Sequence, residues 1–436
     1  MKTLLRFLPF VVIGIVLLSS FAGVVTFILR QLNLYPPEQI TIAAGSPGSA
    51  YHDYAVQYRD ILARDNIKLE ILETNGSLDN ASRLAKEESP ADIALVQGGI
   101  SIPDSIVGIA SVQVEPLWIF ARPEVENDPN TWEEVSLSVG AEGGGTRTVV
   151  EQLAQITQAV GLTGANTVNM GSRDSSDAIY EGDLDMALFV APVTASYLQQ
   201  LFNDPLLSLV PLAHSETVAI RIEGARLIRL PSGSLNYQRP LPDGDMNMVA
   251  LVTRLVAQED LHPALVNRLV AAVIEVHGGR PVIPADSLYP STSDLGVEPD
   301  KLAVSLFEKG FSPLESFLPY WIVAQLNRIL LILVPLILLL LPLFKLFPVL
   351  YHAIFNSRVY RHYTRVHEID TTLATEGESL GSENLLKLRK ELDEIELALL
   401  QANLPNVYRK QAYTVQHHLD YVRRRLDDVS RNVNAQ

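Results

Sequence analysis

The sequence predicts an α/β protein in three parts: a two-lobed mixed domain, two long apolar segments that flank it, and an α-helical hairpin after the second. The first observation is the stretch Ile40–Gln97. Three short β-branched runs, Ile40–Ala44, Lys68–Leu72 and Asp92–Val96, alternate there with two stretches of helical spacing. That β-α-β-α-β order argues for a parallel sheet with covering helices. The second observation is a pair of bilayer-length apolar runs, residues 8–29 and 328–355. The third is a pair of 3-4 spaced seams near the C-terminus, at 382–432.

Composition narrows the function classes. A chain of 436 residues is long enough for two or three domains. It has no cysteine, which excludes disulfides, thiol catalysis and Cys-based metal sites. Residues 30–328 hold 38 Asp and Glu against 19 Lys and Arg, whereas the segment from His352 onward holds 12 of each. An acidic middle domain is a poor nucleic-acid partner, because phosphate binding needs a cationic face.

Leu8–Leu29 is almost unbroken in its apolar character and follows Lys2 and Arg6. It reads as an uncleaved anchor, since no A-x-A site follows; a signal peptide is the alternative. The second apolar run starts at Ile329 and carries nine leucines between Leu330 and Leu343, with Pro335, Pro342 and Pro348 expected to bend it. Basic residues Arg358, Arg361 and Arg365 follow it. The positive flanks put both termini in the cytoplasm and residues 31–326 outside, which in a bacterium means an inner-membrane protein with a periplasmic domain.

Within residues 38–318, Tyr35-Pro36-Pro37 reads as a stiff spacer leading in. Lobe 1 is expected over about 38–118 and 245–318, and lobe 2 over about 119–244. Ala50–Ala63 places Tyr51, Tyr54, Ala55, Tyr58, Ile61 and Leu62 on one helical face. Each lobe-1 strand ends in small polar residues: Gly45–Ser49, Thr74–Ser77 and Gln97–Gly99. Ligands of open α/β sheets sit outside such carboxyl ends. Two of these turns also open helices, whose unpaired N–H groups favour negative charge. Ile106–Ala110 and Val114–Phe120 read as further strands, and Glu115 as a hinge or site residue. Glu142–Thr146 is a Gly-rich turn feeding a helix, but no Gly-Lys-Ser/Thr follows, so it is not a phosphate-binding loop of the Walker kind. Leu261–His277 reads as a helix with Pro263 in its first turn, flanked by surface histidines His262 and His277.

The succession Gly45–Tyr51, Thr74–Asn80 and Asp92–Gln97, followed by Val114–Leu117, Val139–Thr146 and Gly182–Ala187, resembles the TAXI family, the solute receptors of TRAP transporters. The resemblance covers residues 40–310. It implies a type II periplasmic-binding-protein fold whose two lobes close on a small carboxylate or amino acid. Ser46, Tyr51, Asn75, Ser77, Asn80 and Gln97 from lobe 1, with Gly144 and Thr146 from lobe 2, are the expected ligand contacts. No Arg lies within these motifs, so carboxylate capture would rest on dipoles rather than a bidentate clamp. The second apolar segment and the tail depart from the family pattern of a freely diffusing receptor.

In the tail, Leu385, Leu388, Leu392, Ile395 and Leu399 form one seam; Val415, Leu419, Val422, Leu426 and Val429 form the other. Pro405 separates them, so a cytoplasmic antiparallel hairpin is expected, with coiled-coil pairing between subunits as the alternative. Thr371–Ser382 reads as a flexible linker, and Arg423–Arg425 as a solvated face. No H-E-x-x-H, G-x-S-x-G or metal-ligand spacing is present, so neither an enzyme, a cofactor nor a metal is expected. Two functions remain: a membrane-tethered receptor for TRAP-type transport with permease partners, or a ligand sensor that signals through its cytoplasmic tail.

Overall fold

The computed structural model describes residues 34–85, 91–126, 128–280, 288–376, 379–401 and 406–435, with isolated positions besides. The chain divides into two compact units at Leu326 and Asn327. The expected first span, Leu8–Leu29, lies outside the continuously described residues.

The first unit starts with the alternating pattern of Ile40–Gln97. Strands β1 (Gln39–Ala43), β2 (Lys68–Leu72) and β3 (Ile93–Gln97) pair in parallel in the order β2-β1-β3. Helix α1 (Ala50–Leu62) buries Tyr54, Ala55, Tyr58 and Leu62, an i, i+4, i+8 stripe with its flanking positions. Helix α2 (Ser77–Leu84) covers Ala81 and Leu84 against the sheet.

The next element differs from its sequence reading. Ile106–Ala121 is one 16-residue strand, β4, rather than two. Polar Ser111, Gln113 and Glu115 interrupt its apolar character, but a single long partner keeps the backbone bonded. That partner is β10 (Met246–Gln258), antiparallel from Ile106 opposite Gln258 to Pro116 opposite Ala250. Beyond Pro116, β4 turns its hydrogen bonds to β7 (Met186–Val190). One strand thus serves both lobes.

Lobe 2 is assembled on that far end. It holds β5 (Leu137–Ser138), α3 (Gly145–Thr157), β6 (Thr167–Val168), α4 (Ser172–Glu181), β7, α5 (Leu198–Asn203), β8 (Ser208–Leu209) and α6 (Ser215–Arg221). Strand β9 (Arg226–Leu230) pairs with β10, and the chain then returns to lobe 1 through β10. The strand order is β2-β1-β3-β10-β4-β7-β5-β6, with β8 paired to β4 and β9 to β10 off this path. One core gathers Ile42, Tyr58, Leu95, Trp118 and Leu265; a second gathers Trp132, Leu153 and Leu188. Trp118 is fully buried, and its indole N–H donates to the Ala191 carbonyl at 2.8 Å.

Helix α7 (Pro263–His277) closes lobe 1, followed by α8 (Lys301–Lys309) and α9 (Tyr320–Ala324). Both histidines of α7 are packed rather than at the surface. His262 caps the helix by accepting the Ala264 N–H at 3.2 Å, and His277 meets the Tyr58 hydroxyl at 2.7 Å. Desolvation holds His277 down to about 3, so it stays neutral at ordinary pH. The N-terminal spacer is docked as well. Leu34 is buried, its carbonyl accepts from the Gln325 amide at 2.8 Å, and the Tyr35 and Trp321 rings lie 4.8 Å apart. Leu34 and Gln325, outside the range 38–318 expected for the lobe pair, are thus packed together.

The second unit is helical. Helix α10 runs from Leu326 to Glu376 without a break at Pro335, Pro342 or Pro348. Among the described residues no helix is long and apolar enough to cross a membrane. Helices α11 (Ser382–Gln401) and α12 (Asn406–Ala435) run antiparallel, as the pairs Arg389–Asp427 and Arg423–Glu396 require. Their seams do not close on each other alone. Val366, Ile369 and Leu373 of α10 join Leu385, Leu392, Ile395, Leu399, Val415, Leu419, Val422 and Leu426 in one core. The unit is a three-helix bundle, and the expected linker is helical up to Glu376. Arg423 pairs with Asp393 and Glu396, and Arg425 with Asp370, so two of the three consecutive arginines are engaged within the bundle.

Leu419 is fully buried and Leu397 is 57% exposed. Leu419→Ala should cost about 2–5 kcal/mol in urea unfolding of the segment from residue 358 onward. Leu397→Ala should stay within about 0.5 kcal/mol. Equal effects would contradict the bundle.

Candidate functional site

A cavity of about 80 Å³ lies where the two lobes meet. At about 10–15 Å³ for each water-sized centre, it accommodates a handful of non-hydrogen groups. First-turn residues of four helices line it: Ala50 and Tyr51 of α1, Ser77 of α2, Gly145 and Thr146 of α3, and Ser172 of α4. The corresponding N-caps are Ser49, Gly76, Gly144 and Gly171. Each cap terminates a short turn after a strand, which is why the sequence begins a helix there. Four positive helix ends directed at one small volume favour an anion. No Lys or Arg side chain lines the cavity among the described residues.

The lobes touch around this volume. The Leu78 N–H donates to the Gly143 carbonyl at 3.1 Å, and the Gln97 amide donates to the Gly145 carbonyl at 3.3 Å. Gly76 has φ +123°, and a Cβ there would lie 3.0 Å from the Gly144 Cα. The backbones meet this closely only because both residues lack a side chain. On another edge Tyr54 and Thr194 share a 3.0 Å hydroxyl contact.

Of the expected contacts, Ser46, Tyr51, Asn75, Ser77, Gln97, Gly144 and Thr146 all line the cavity, as does Glu115. Asn80 does not. It is fully buried, donates to the Leu95 carbonyl at 2.7 Å and accepts from the Thr74 hydroxyl. The Thr74 hydroxyl oxygen in turn accepts the Gly45 N–H at 2.9 Å. Asn80 therefore ties the ends of three strands together from behind, and its role is positional. Ser77 and Thr146 do both jobs: Ser77 Oγ accepts the Gln97 N–H at 3.1 Å, and Thr146 Oγ1 accepts the Val190 N–H at 3.0 Å. Ser49, Gly140, Gly171, Ser172, Pro192 and Tyr197 also line the cavity and are not among the contacts expected from sequence. Gly171-Ser172 repeats the Gly-Ser step of Gly48-Ser49 and Gly76-Ser77, a signal that was available.

Glu115 sits on β4 at the cavity wall, 1% exposed, not in a solvated loop. The Tyr51 hydroxyl donates to Glu115 Oε2 at 3.0 Å. Burial pushes the Glu115 carboxyl up to about 7, with the Thr253 and Tyr51 hydroxyls opposing that rise. Burial, joined by the Glu115 charge, also pushes the Tyr51 phenol well above its ordinary range. Behind this pair Arg254 donates to the carbonyls of Gln97 (2.8 Å), Ile100 (2.9 Å) and Leu295 (2.9 Å). It fixes the turn after β3 and does not reach the cavity.

A model of the NMT1-like family matches residues 42–278, which span β1 to α7 and hence the entire cavity wall. The chain belongs to the NMT1-like family. Among solved structures, this NMT1-like chain is similar to MatC from Rhodopseudomonas palustris with bound malate. Identity is 15%, the TM-score 0.40, and the match covers 57% of this chain and 87% of that one. It is similar to the periplasmic binding protein BugD at 12% identity and TM-score 0.37, covering 55% and 82%. It is also similar to the reduced OxyR regulatory domain from Pseudomonas aeruginosa at 11% identity and TM-score 0.34, covering 56% and 98%. No curated protein sequence matches the chain.

Two outcomes follow from this geometry. Asn80→Ala should destabilise the first unit by about 1–3 kcal/mol for each buried partner left unpaired, whereas exposed Asn75→Ala should leave stability within about 0.5 kcal/mol. Denaturant midpoints distinguish the two. Glu115 binds its proton more tightly in the folded chain than in the unfolded one. Its contribution is therefore complete below about 4.5 and is lost as pH rises through about 7. Wild type should lose on the order of 3 kcal/mol from this group between pH 4.5 and 8, and Glu115→Gln should flatten that part of the profile. A variant that keeps the wild-type slope would remove Glu115 as its source.

Proposed function

We propose that the first unit is an extracytoplasmic solute receptor of the TAXI type, closing its lobes on a small organic anion or amino acid for TRAP-type transport. The observation that carries this reading is the meeting of four helix N-termini on one small cavity walled by both lobes. Ser, Thr, Asn, Gln and backbone N–H groups suit a carboxylate without needing a fixed cation. The paired Tyr51–Glu115 side chains add a proton-bearing group on the far wall, suited to a hydroxyl or ammonium of the same ligand. A dianion fits less well beside Glu115, because like charges in a buried volume repel.

In this reading the apolar runs 8–29 and 328–355 tether the receptor to a bacterial inner membrane at both ends, with the lobes periplasmic and both termini cytoplasmic. The predominantly apolar sequence of both runs, interrupted in the second by Arg328, Lys345 and His352, and their basic outer flanks support it. Tethering would confine the receptor to the neighbourhood of a membrane permease. A second reading, a ligand sensor, draws on α10, a single helix whose last turns form part of the tail bundle core. A packed helical bundle after the second apolar run is a feature that signalling would use and transport would not need.

The test is thermal unfolding of residues 34–326 against a panel of amino acids and mono- and dicarboxylates. A ligand selective for the folded state raises the melting temperature saturably, by mass action. Asn75→Ala should weaken that ligand about tenfold, the worth of one lost hydrogen bond to a charged group. No shift across the panel would sink the small-anion reading.

A further inference from the structure

We propose that the tail bundle carries a divalent transition-metal site, best suited to Zn²⁺, formed by His367 and Asp370 of α10 with His418 of α12. Each offers one ligand atom, and the three atoms lie within 4.8 Å of one another; no other such group of three occurs among the described residues. His367 and Asp370 are three apart on α10, so they share one helix face. His418 comes to that face from α12, its Nε2 3.9 Å from Asp370 Oδ2.

Three details favour a metal over a simple histidine–carboxylate pair. His418 Nε2 is buried and has no hydrogen-bond partner, which is costly for a ring nitrogen unless something fills that space. Asp370 divides its oxygens: Oδ1 accepts from Arg425 at 3.0 Å, leaving Oδ2 turned to His418. An outer partner on the second oxygen is how ligating carboxylates are held in place. The aromatic rings of Tyr363 and Tyr421 flank His418 at 5.6 and 6.2 Å and limit its rotation.

Imidazole with carboxylate is a donor set that zinc accepts, at about 2.0–2.2 Å per bond. Drawing the three atoms from 4.8 Å to that geometry requires an inward rotation of the exposed His367 side chain. A fourth position remains open on the solvent side of His367, for water or an additional ligand. The site would staple α10 to α12.

The experiment uses the tag-free full chain in detergent micelles, stripped with chelator and titrated with Co²⁺ alone, then displaced with Zn²⁺. One equivalent should give the visible d–d bands of a four-coordinate centre, and Zn²⁺ should abolish them. His367→Ala removes an exposed side chain and should leave the bundle folded while weakening binding at least tenfold. His418→Asn should do the same, with helical circular dichroism as the folding check. His417→Ala, on the neighbouring exposed position, should bind as wild type. Absence of the bands, or bands that survive His367→Ala together with His418→Asn, would overturn the site.

Discussion

The pairing of β4 with β10 governs the first unit. From Ile106 opposite Gln258 to Pro116 opposite Ala250, the two strands run antiparallel through the middle of the sheet. The other strands of lobe 1 reach β10 through β3, lobe 2 joins β4 through β7 and β8, and β9 pairs with β10 itself. Two register shifts, at Thr253/Arg254 and Leu255/Val256, add local twist to the ladder. Glu115, Gln113 and Thr253 lie on this central pair. These buried and half-buried polar side chains therefore sit on the central ladder of the sheet. A two-strand connection of this kind resists shear but permits bending.

A buried carboxyl on that connection has physical consequences for whatever enters the cavity. Glu115 and Tyr51 face each other at 3.0 Å with little water to screen them. Four helix ends attract negative charge to the same volume while an ionised Glu115 would repel it. The balance between those fields depends on the proton of Glu115.

Much of this architecture was legible in the chain. The β-α-β-α-β pattern of Ile40–Gln97 and the glycine-rich turn before Thr146 give their elements directly, because period and turn chemistry are local properties. The failures came where tertiary partners decide. β4 looked like two strands because Ser111, Gln113 and Glu115 read as a polar interruption, and only β10 makes them part of a buried ladder. Asn80 sits among ligand-like residues in sequence, yet its amide is consumed by Thr74 and Leu95. His262 and His277 were read as surface groups because nothing local announces the backbone N–H of Ala264 or the hydroxyl of Tyr58. The third bundle helix had a signal, the 3-4 spacing of Val366, Ile369 and Leu373. The polar Thr371 and Thr372 beside it obscured that spacing, although they fall on the outer face.

The clasp between Leu34 and Gln325 bears on how such a chain is put together. The backbone enters and leaves the lobe pair at one point, held by a single amide, a buried leucine and two rings in tilted contact. Domains whose ends lie side by side can be spliced into another chain without disturbing their interior. The lobe pair is thus a self-contained cassette. The sequences on either side of it can change while the cavity between the lobes stays intact, so the two are free to evolve separately.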